Sequence, residues 1–267
     1  MINIKSKIKL NNGIQMPLLG FGTWQIPGGK TTYDAVLFAL KSGYRHIDTA
    51  KFYGNEETVG KAIRDSGIPR EEIFVTTKLW PTDAINAEKA FEKSLKKLDI
   101  GYIDLYLMHW PVPGMVKKSW VKLENIFLKS GKIKSIGVSN HSVRQLKCIL
   151  NIAKIKPVVN QVKCSPYNYD PAMHEFCVKN DIVMEAYSPL THGNNLNDDK
   201  LTRIAEKYSK TNAQILLRWC IQKGIVTIPK SSHEKRIAEN ADIFDFEISD
   251  ADIKKLDNFS NKKALRR

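Results

Sequence analysis

Arg45-His-Ile-Asp-Thr-Ala-Lys-Phe-Tyr-Gly-Asn-Glu56 reads as the end of a short strand, a tight loop and the start of a helix. Ile47 belongs to the apolar run, Asp48 stands where the strand ends, and Tyr53 lies in the loop after it. Asn55 takes the N-cap position, and Glu56 and Glu57 suit the positive end of a helix. An acid and a phenol this close mean little alone, but the punctuation recurs. Ile73-Phe-Val-Thr-Thr is extended and ends at Lys78, and Ile103-Asp-Leu-Tyr-Leu-Met ends at His109. Asp48, Lys78 and His109 are about 30 residues apart, the length of one strand-plus-helix unit. If the strands are parallel neighbours, the three side chains meet at one end of the sheet, where the active sites of strand–helix barrels gather.

The rest of the chain keeps this rhythm. Asn11-Asn-Gly13 between two short extended runs signals an N-terminal β-hairpin. Leu18-Leu-Gly-Phe-Gly-Thr-Trp24 is a strand whose glycines imply close approach of a backbone or a ligand. Further strands are expected at 44–48, 73–78, 103–108, 133–140, 158–161, 182–187 and 225–230. Helical periodicity fills the intervals, at 31–42, 86–97, 199–208, 212–223, 234–241 and 250–258 among others, with Ser142 and Gln145 forming a capping box. The helix at 212–223 is apolar nearly all round and should be well buried. Eight strands alternate with helices, and no linker or low-complexity segment interrupts them. The economical reading is α/β: one (β/α)8 TIM barrel over residues 1–267 with the hairpin ahead of it.

The composition agrees. A chain of 267 residues that is 42% hydrophobic can bury a full barrel core. No segment is long and apolar enough for a membrane span, and the first residues lack the apolar stretch of a signal peptide, so a cytoplasmic protein is expected. Cys148, Cys164, Cys177 and Cys220 are scattered and read as reduced thiols in or near the core. The net charge of +14 comes from lysines interleaved with acids on nearly every helix. With no recognisable nucleic-acid module, this is a solvated lysine-rich surface that would steer anionic ligands, and no nucleic-acid partner is expected.

Polar residues stand at nearly every strand end: Asp48, Lys78, His109, Ser139-Asn140, Gln161, Tyr187-Ser188 and Lys230. A tyrosine phenol with a reference pKa of about 10 needs help to exchange a proton at neutral pH. An ammonium beside it, from Lys78, would lower that value, and Asp48 would hold the ammonium charged. His109 would give a hydrogen bond to a substrate oxygen. Such a site can protonate a developing alkoxide. There is no G-x-S-x-G nucleophile motif and no histidine spacing for a metal, so no metal is expected. Reducing a carbonyl requires a hydride donor that side chains cannot supply, hence a cofactor. No G-x-G-x-x-G follows a strand. Lys230-Ser-Ser-His-Glu-Lys-Arg236, running from the last strand into a helix start, suits a phosphate monoester, or is simply a basic loop on a basic protein.

Across essentially its whole length the chain resembles the aldo-keto reductases. The matching stretches include Gly20-Phe-Gly-Thr-Trp24, Asp48-Thr-Ala-Lys-Phe-Tyr-Gly-Asn-Glu56, Lys78-Leu-Trp80, Asp104-Leu-Tyr-Leu-Met-His-Trp-Pro111, Gly137-Val-Ser-Asn140, Asn160-Gln161, Ala186-Tyr-Ser-Pro-Leu190 and Ile228-Pro-Lys-Ser231. Short microbial members that reduce aldehydes, keto acids or diketo sugar acids are the most similar type. The resemblance implies Tyr53 as general acid, tuned by Asp48 and Lys78, with His109 orienting the carbonyl. It implies NADPH as cofactor: Tyr187 stacked on the nicotinamide, Ser139, Asn140 and Gln161 on its carboxamide, and Ser188 and Leu190 along the pyrophosphate. Lys230, Ser231 and Arg236 would hold the 2′-phosphate, and Glu239 and Asn240 the adenine. Trp24, Trp80 and Trp110 would wall the pocket for a small-molecule carbonyl substrate; from the residues alone they read as core aromatics. A monomer is expected. A non-catalytic NADPH-binding regulatory or scaffold protein on the same fold is the alternative. Short loops after Trp110 and Leu190, and a short tail, imply an open, permissive pocket. Where the family usually carries a glutamate and then a histidine, this chain has Lys163 and Ser165, and Lys163 is expected to pair with Glu185.

Overall fold

The protein is described by a computed structural model covering residues 2–260; the tail beyond lies outside the described residues. An antiparallel hairpin, β1 (Lys7–Lys9) and β2 (Gln15–Pro17), comes first, with Lys7 opposite Pro17. Its turn is the Asn11-Asn-Gly13 segment, and Gly13 supplies the left-handed backbone at φ 89°. The turn is fastened under the barrel. Asn11 donates to the carbonyls of Pro157 and Asp181, and Asn12 to that of Lys134, just before or at the starts of three barrel strands. The hairpin therefore covers the end opposite the strand C-termini.

Eight parallel strands follow: β3 (Phe21–Gly22), β4 (His46–Asp48), β5 (Phe74–Leu79), β6 (Ile103–Met108), β7 (Ile133–Ser139), β8 (Val159–Lys163), β9 (Val183–Tyr187) and β10 (Val226–Thr227). They lie side by side in sequence order. A parallel bridge from Leu19 to Thr227, with Gly22 N–H donating to the Pro229 carbonyl, closes the last strand onto the first. The barrel is the one read from the sequence, but its seam is short. The runs expected at 18–24 and 225–230 contribute only two regular residues each. Glycine is required at this seam, because a Cβ on Gly22 would sit 2.8 Å from the Ile228 carbonyl oxygen.

Around the sheet lie α1 (Lys30–Lys41), α2 (Glu56–Asp65), α3 (Ala87–Leu98), α4 (Val116–Ser130), α5 (Val143–Leu150), α6 (Pro171–Lys179), α7 (Asp199–Lys207), α8 (Asn212–Gln222), α9 (Glu234–Ala241) and α10 (Asp250–Asp257). Helices outside and packed side chains inside bury both faces of the strands. That is why Ile103, Leu105, Tyr106 and Leu107 can follow one another with almost no exposure. The α8 helix is buried nearly all round, as its composition predicts, and each fully buried aliphatic side chain there is worth roughly 1.5–3 kcal/mol. The Ser142–Gln145 capping box opens α5 with both reciprocal hydrogen bonds made. Asn55 does stand at the N-cap of α2, but its side chain does not cap. It donates instead to the carbonyls of Thr23 and Ile26 and accepts from Thr49, tying the loop after β3 to the loop after β4. Cys164, Cys177 and Cys220 are buried thiols and Cys148 is half-buried; none is paired. Among the described residues no helix is long and apolar enough to cross a membrane.

Candidate active site

The C-terminal ends of the strands open into a cavity of about 850 Å³. Every site residue expected from the sequence lines it except Lys78, which is fully buried beneath it. The β4–α2 loop explains how Tyr53 arrives there. After Asp48 the chain makes a single 3-10 turn, Lys51–Tyr53, and reverses at Gly54 in the left-handed region. This brings the phenol back over the strand end it has just left.

Lys78 Nζ, rising from β5, is the centre of the arrangement. It donates to both carboxylate oxygens of Asp48 at 2.7 and 2.8 Å, to the Thr49 carbonyl at 2.9 Å and to Tyr53 Oη at 3.2 Å. A phenol oxygen that accepts from Lys78 must direct its own proton elsewhere, and the cavity is the open side. Burial pushes the Tyr53 phenol up to about 12, against the downward pull of Lys78. The expectation that Lys78 would lower it below its ordinary value is thus corrected: desolvation outweighs the ammonium, and the phenol is held protonated. Lys78 is itself raised; burial opposes its charge, but the Asp48 carboxylate prevails. His109 is packed edge-on against Tyr53, Trp80 and Phe52. Burial first, and Lys78 second, depress its pKa to about 3, so at neutral pH it is an uncharged imidazole with one N–H to give.

A second polar layer lies behind. Gln161 Nε2 donates to Asp48 Oδ2 at 2.8 Å and to Glu185 Oε2 at 2.9 Å. Ser139 Oγ donates to the Gln161 carbonyl, and Asn140 Nδ2 donates to the His109 carbonyl and to Ser139 Oγ. Tyr187 Oη donates to Asn140 Oδ1 at 2.8 Å. Asn140 holds left-handed backbone at φ 61° without being glycine, a cost on the order of 1 kcal/mol that these hydrogen bonds sustain, and Ser188 does so at φ 49°. The expected Lys163–Glu185 pair is not formed. Lys163 sits at the end of β8 with its side chain in water, whereas Glu185 is fully buried and registered opposite Gln161.

The cavity's two ends differ in chemistry. At one, Trp24 and Trp110 are 39% and 44% exposed, which makes them cavity walls and not core. Phe52, which sequence reasoning passed over, stacks flat on Trp80 with ring centroids 4.0 Å apart and is more than half exposed. Its one signal was an aromatic placed immediately before Tyr53. At the other end Lys230 and Arg236 are exposed, and among the described residues neither is in an ion pair; Ser231 Oγ accepts from the His233 N–H. Helix α9 starts here with no side chain capping its first turn. Glu239 accepts from Thr211, and Asn240 is buried beside it at the rim. His192 and Gln25 also line the cavity and were not anticipated. Among the described residues no three His, Cys, Asp or Glu side chains are grouped to hold a metal ion.

A parallel barrel with an acid, a lysine, a tyrosine and a histidine gathered at its C-terminal mouth defines a recognisable class of protein. The model of the aldo/keto reductase family matches residues 18–261, and the chain belongs to that family. It is 48% identical to a glyoxal reductase of Bacillus subtilis over 257 residues, 96% of this chain and 93% of that one. It is 42% identical to a methylglyoxal reductase of Escherichia coli, over 97% of this chain and 94% of that one. A crystal structure of an aldo/keto reductase from Brucella melitensis superposes with a TM-score of 0.89 at 46% identity, covering 95% of this chain and 99% of the other.

Proposed function

We propose that the protein is an NADPH-dependent reductase that converts small aldehydes and ketones to alcohols, with Tyr53 as the proton donor. The observation that carries this reading is Tyr53 Oη at the cavity floor, accepting from a Lys78 ammonium that is itself held on both oxygens of Asp48.

Fit to the cofactor rests on the cavity's length and donor set. It runs unbroken from the aromatic end past Ser139, Asn140, Gln161 and Tyr187 to the cationic end. Lys230, Ser231, Arg236 and the open start of α9 are what a 2′-phosphate needs, and Glu239 and Asn240 lie where an adenine would rest. Ser188 and Leu190 border the stretch between. Bound there, the dihydronicotinamide supplies the hydride, two electrons that no side chain can offer.

The chain's own residues do the rest. His109 donates its N–H to the carbonyl oxygen, which orients the substrate and makes its carbon electron-poor. As charge develops on that oxygen, Tyr53 gives up its proton to it. The phenolate left behind faces Lys78 Nζ at 3.2 Å, and Asp48 keeps that lysine charged while the phenol regains a proton from solvent. Trp24, Phe52, Trp80 and Trp110 offer apolar walls and no cation for a carboxylate, which favours small uncharged carbonyls. The relatives' reduction of glyoxal and methylglyoxal is consistent with such a pocket.

The test is loss of nicotinamide absorbance with glyoxal, methylglyoxal and larger aldehydes, NADPH against NADH, beside a Tyr53→Phe variant. Turnover that prefers NADPH and needs Tyr53 is expected. Saturable NADPH binding with no turnover of any carbonyl would overturn the reading.

A further inference from the structure

Glu185 is a carboxyl at 0% exposure that the reaction above does not use. It lies on β9 in register with Gln161, and the two N–H bonds of the Gln161 amide are divided between Glu185 Oε2 and Asp48 Oδ2. One amide therefore joins two carboxyl groups. The charges around them do not balance if both are ionised. From β5 comes one cation, Lys78, already committed to Asp48. From β4 come Asp48 and His46; His46 Nε2 is 3.6 Å from Glu185 Oε1, too far for a hydrogen bond, and lies 3.1 Å from Thr76 Oγ1. From β10, Val226 is opposite and Thr227 next to it, both uncharged. Tyr53 adds a protonated phenol.

We propose that Glu185 is a positioning residue of the reducing site: as a neutral acid it takes one Gln161 N–H while Asp48 takes the other. This fixes the Gln161 amide and leaves its carbonyl oxygen for the cofactor's carboxamide. It also leaves Lys78 facing a single carboxylate. The proposal rests on the reductase reading for its consequences, but not for its geometry. Two directions agree with it: burial and then the Asp48 charge push Glu185 up to about 8, and burial drives His46 down to about 3. Burial raises Asp48 as well, but Asp48 holds the Lys78 ammonium on both oxygens and Glu185 holds no cation, so the geometry makes Asp48 the ionised member. In alkaline solution Glu185 ionises and places a second anion one amide away from the Asp48–Lys78 pair. That anion raises the proton affinity of Tyr53 and makes it a poorer donor.

Three variants and three readouts test this. Infrared difference spectra of the cofactor-free protein at pH 6.5, wild type minus Glu185→Gln, should show a carboxylic-acid C=O band that is gone by pH 9.5. For turnover, wild-type kcat for reduction should fall through an apparent pKa near 8. Glu185→Gln, which keeps the acceptor oxygen and cannot ionise, should retain the neutral-pH rate and lose that limb. Glu185→Leu, which removes the acceptor, should weaken NADPH binding about tenfold by fluorescence titration, the worth of one hydrogen bond, and leave KM for the carbonyl nearly unchanged. Glu185→Asp, one methylene too short to reach Gln161, should resemble the leucine variant. Thermal melts confirm that each is folded. Absence of the acid band, or identical pH–rate profiles for wild type and Glu185→Gln, overturns the proposal. If the wild type turns over no carbonyl, the reductase reading falls on its own, while the infrared band and the binding loss in Glu185→Leu still decide the role of Glu185.

Discussion

At the scale of single residues, the site separates what a side chain is from what its surroundings make of it. Asp48, Lys78 and His109 were legible because strand ends recur at a fixed interval and each ends on an ionisable residue. The state of Tyr53 was not legible. Its direction depends on a contest between burial and one ammonium, and burial is a property of the folded cavity. Tyr53→Phe removes the proposed proton donor and keeps the ring, so kcat for reduction should fall about 10²–10⁴-fold while NADPH affinity, read by fluorescence, holds. Lys78→Met behaves differently. It strands the buried Asp48 carboxylate without its partner, and breaking such a pair costs about 3–5 kcal/mol, so this variant should show a lowered melting temperature as well as lost turnover. If the rim cations hold the 2′-phosphate as proposed, Arg236→Ala should raise Kd for NADPH about tenfold or more and leave that for NADH, which lacks this phosphate, untouched. The Lys163–Glu185 expectation failed for a related reason. Two residues after Gln161 keeps the same side of the strand, but register, invisible in the sequence, pairs Glu185 with Gln161 and leaves Lys163 at the strand's wet end.

Among elements, the alternation of strands and helices was readable because period 2 and period 3.6 leave different apolar patterns. What it missed were the places where tertiary contacts overrule local signals. Asn55 has the chemistry of a cap, yet buried carbonyls of the neighbouring loop claim its amide. The seam strands were overestimated because Gly20 and Gly22 of the first serve close packing instead of a long ladder, and Pro229 of the last has no N–H to extend one. One such contact sets the spacing of two helices on the outer layer. Gly60 of α2 lies against the C-terminal end of α3, and a Cβ there would stand 1.8 Å from the Leu98 carbonyl oxygen. Gly60→Ala gains helix propensity of about 1 kcal/mol and should still destabilise the protein, since a backbone carbonyl cannot swing aside. A drop in melting temperature by circular dichroism is expected, and a rise would show that α2 is free to shift. Ser142→Ala, by contrast, opens the capping box of α5 at a cost of about 1 kcal/mol.

For the molecule as a whole, buried titratable groups make stability a function of pH, and their shifts run in opposite directions. His46 and His109 are depressed from 6.5 to about 3 by burial, so the fold binds fewer protons there than the unfolded chain does. Their contribution is full above about pH 6.5 and is lost as pH falls towards 3. Glu185 is raised from 4.5 to about 8, so the fold binds an additional proton. Its contribution is full below about 4.5 and is lost as pH rises towards 8. Between these limits the terms oppose each other. From pH 6.5 to 8 Glu185 lowers stability by no more than about 1.4 kcal/mol per pH unit, while the histidines, half protonated in the unfolded chain at pH 6.5, give back a smaller amount with the opposite sign. Relative to Glu185→Gln, in which the histidine terms are the same, wild-type stability measured by urea unfolding should therefore decline by about 2 kcal/mol across that interval. In Glu185→Gln only the histidine term remains, and stability should rise slightly across the same interval. The gap between the two curves should change steadily from pH 6 to pH 8.5, with the variant gaining on the wild type as pH rises. Parallel curves would mean that Glu185 is already ionised at neutral pH, and that the Asp48–Lys78 pair tolerates a second anion at its back.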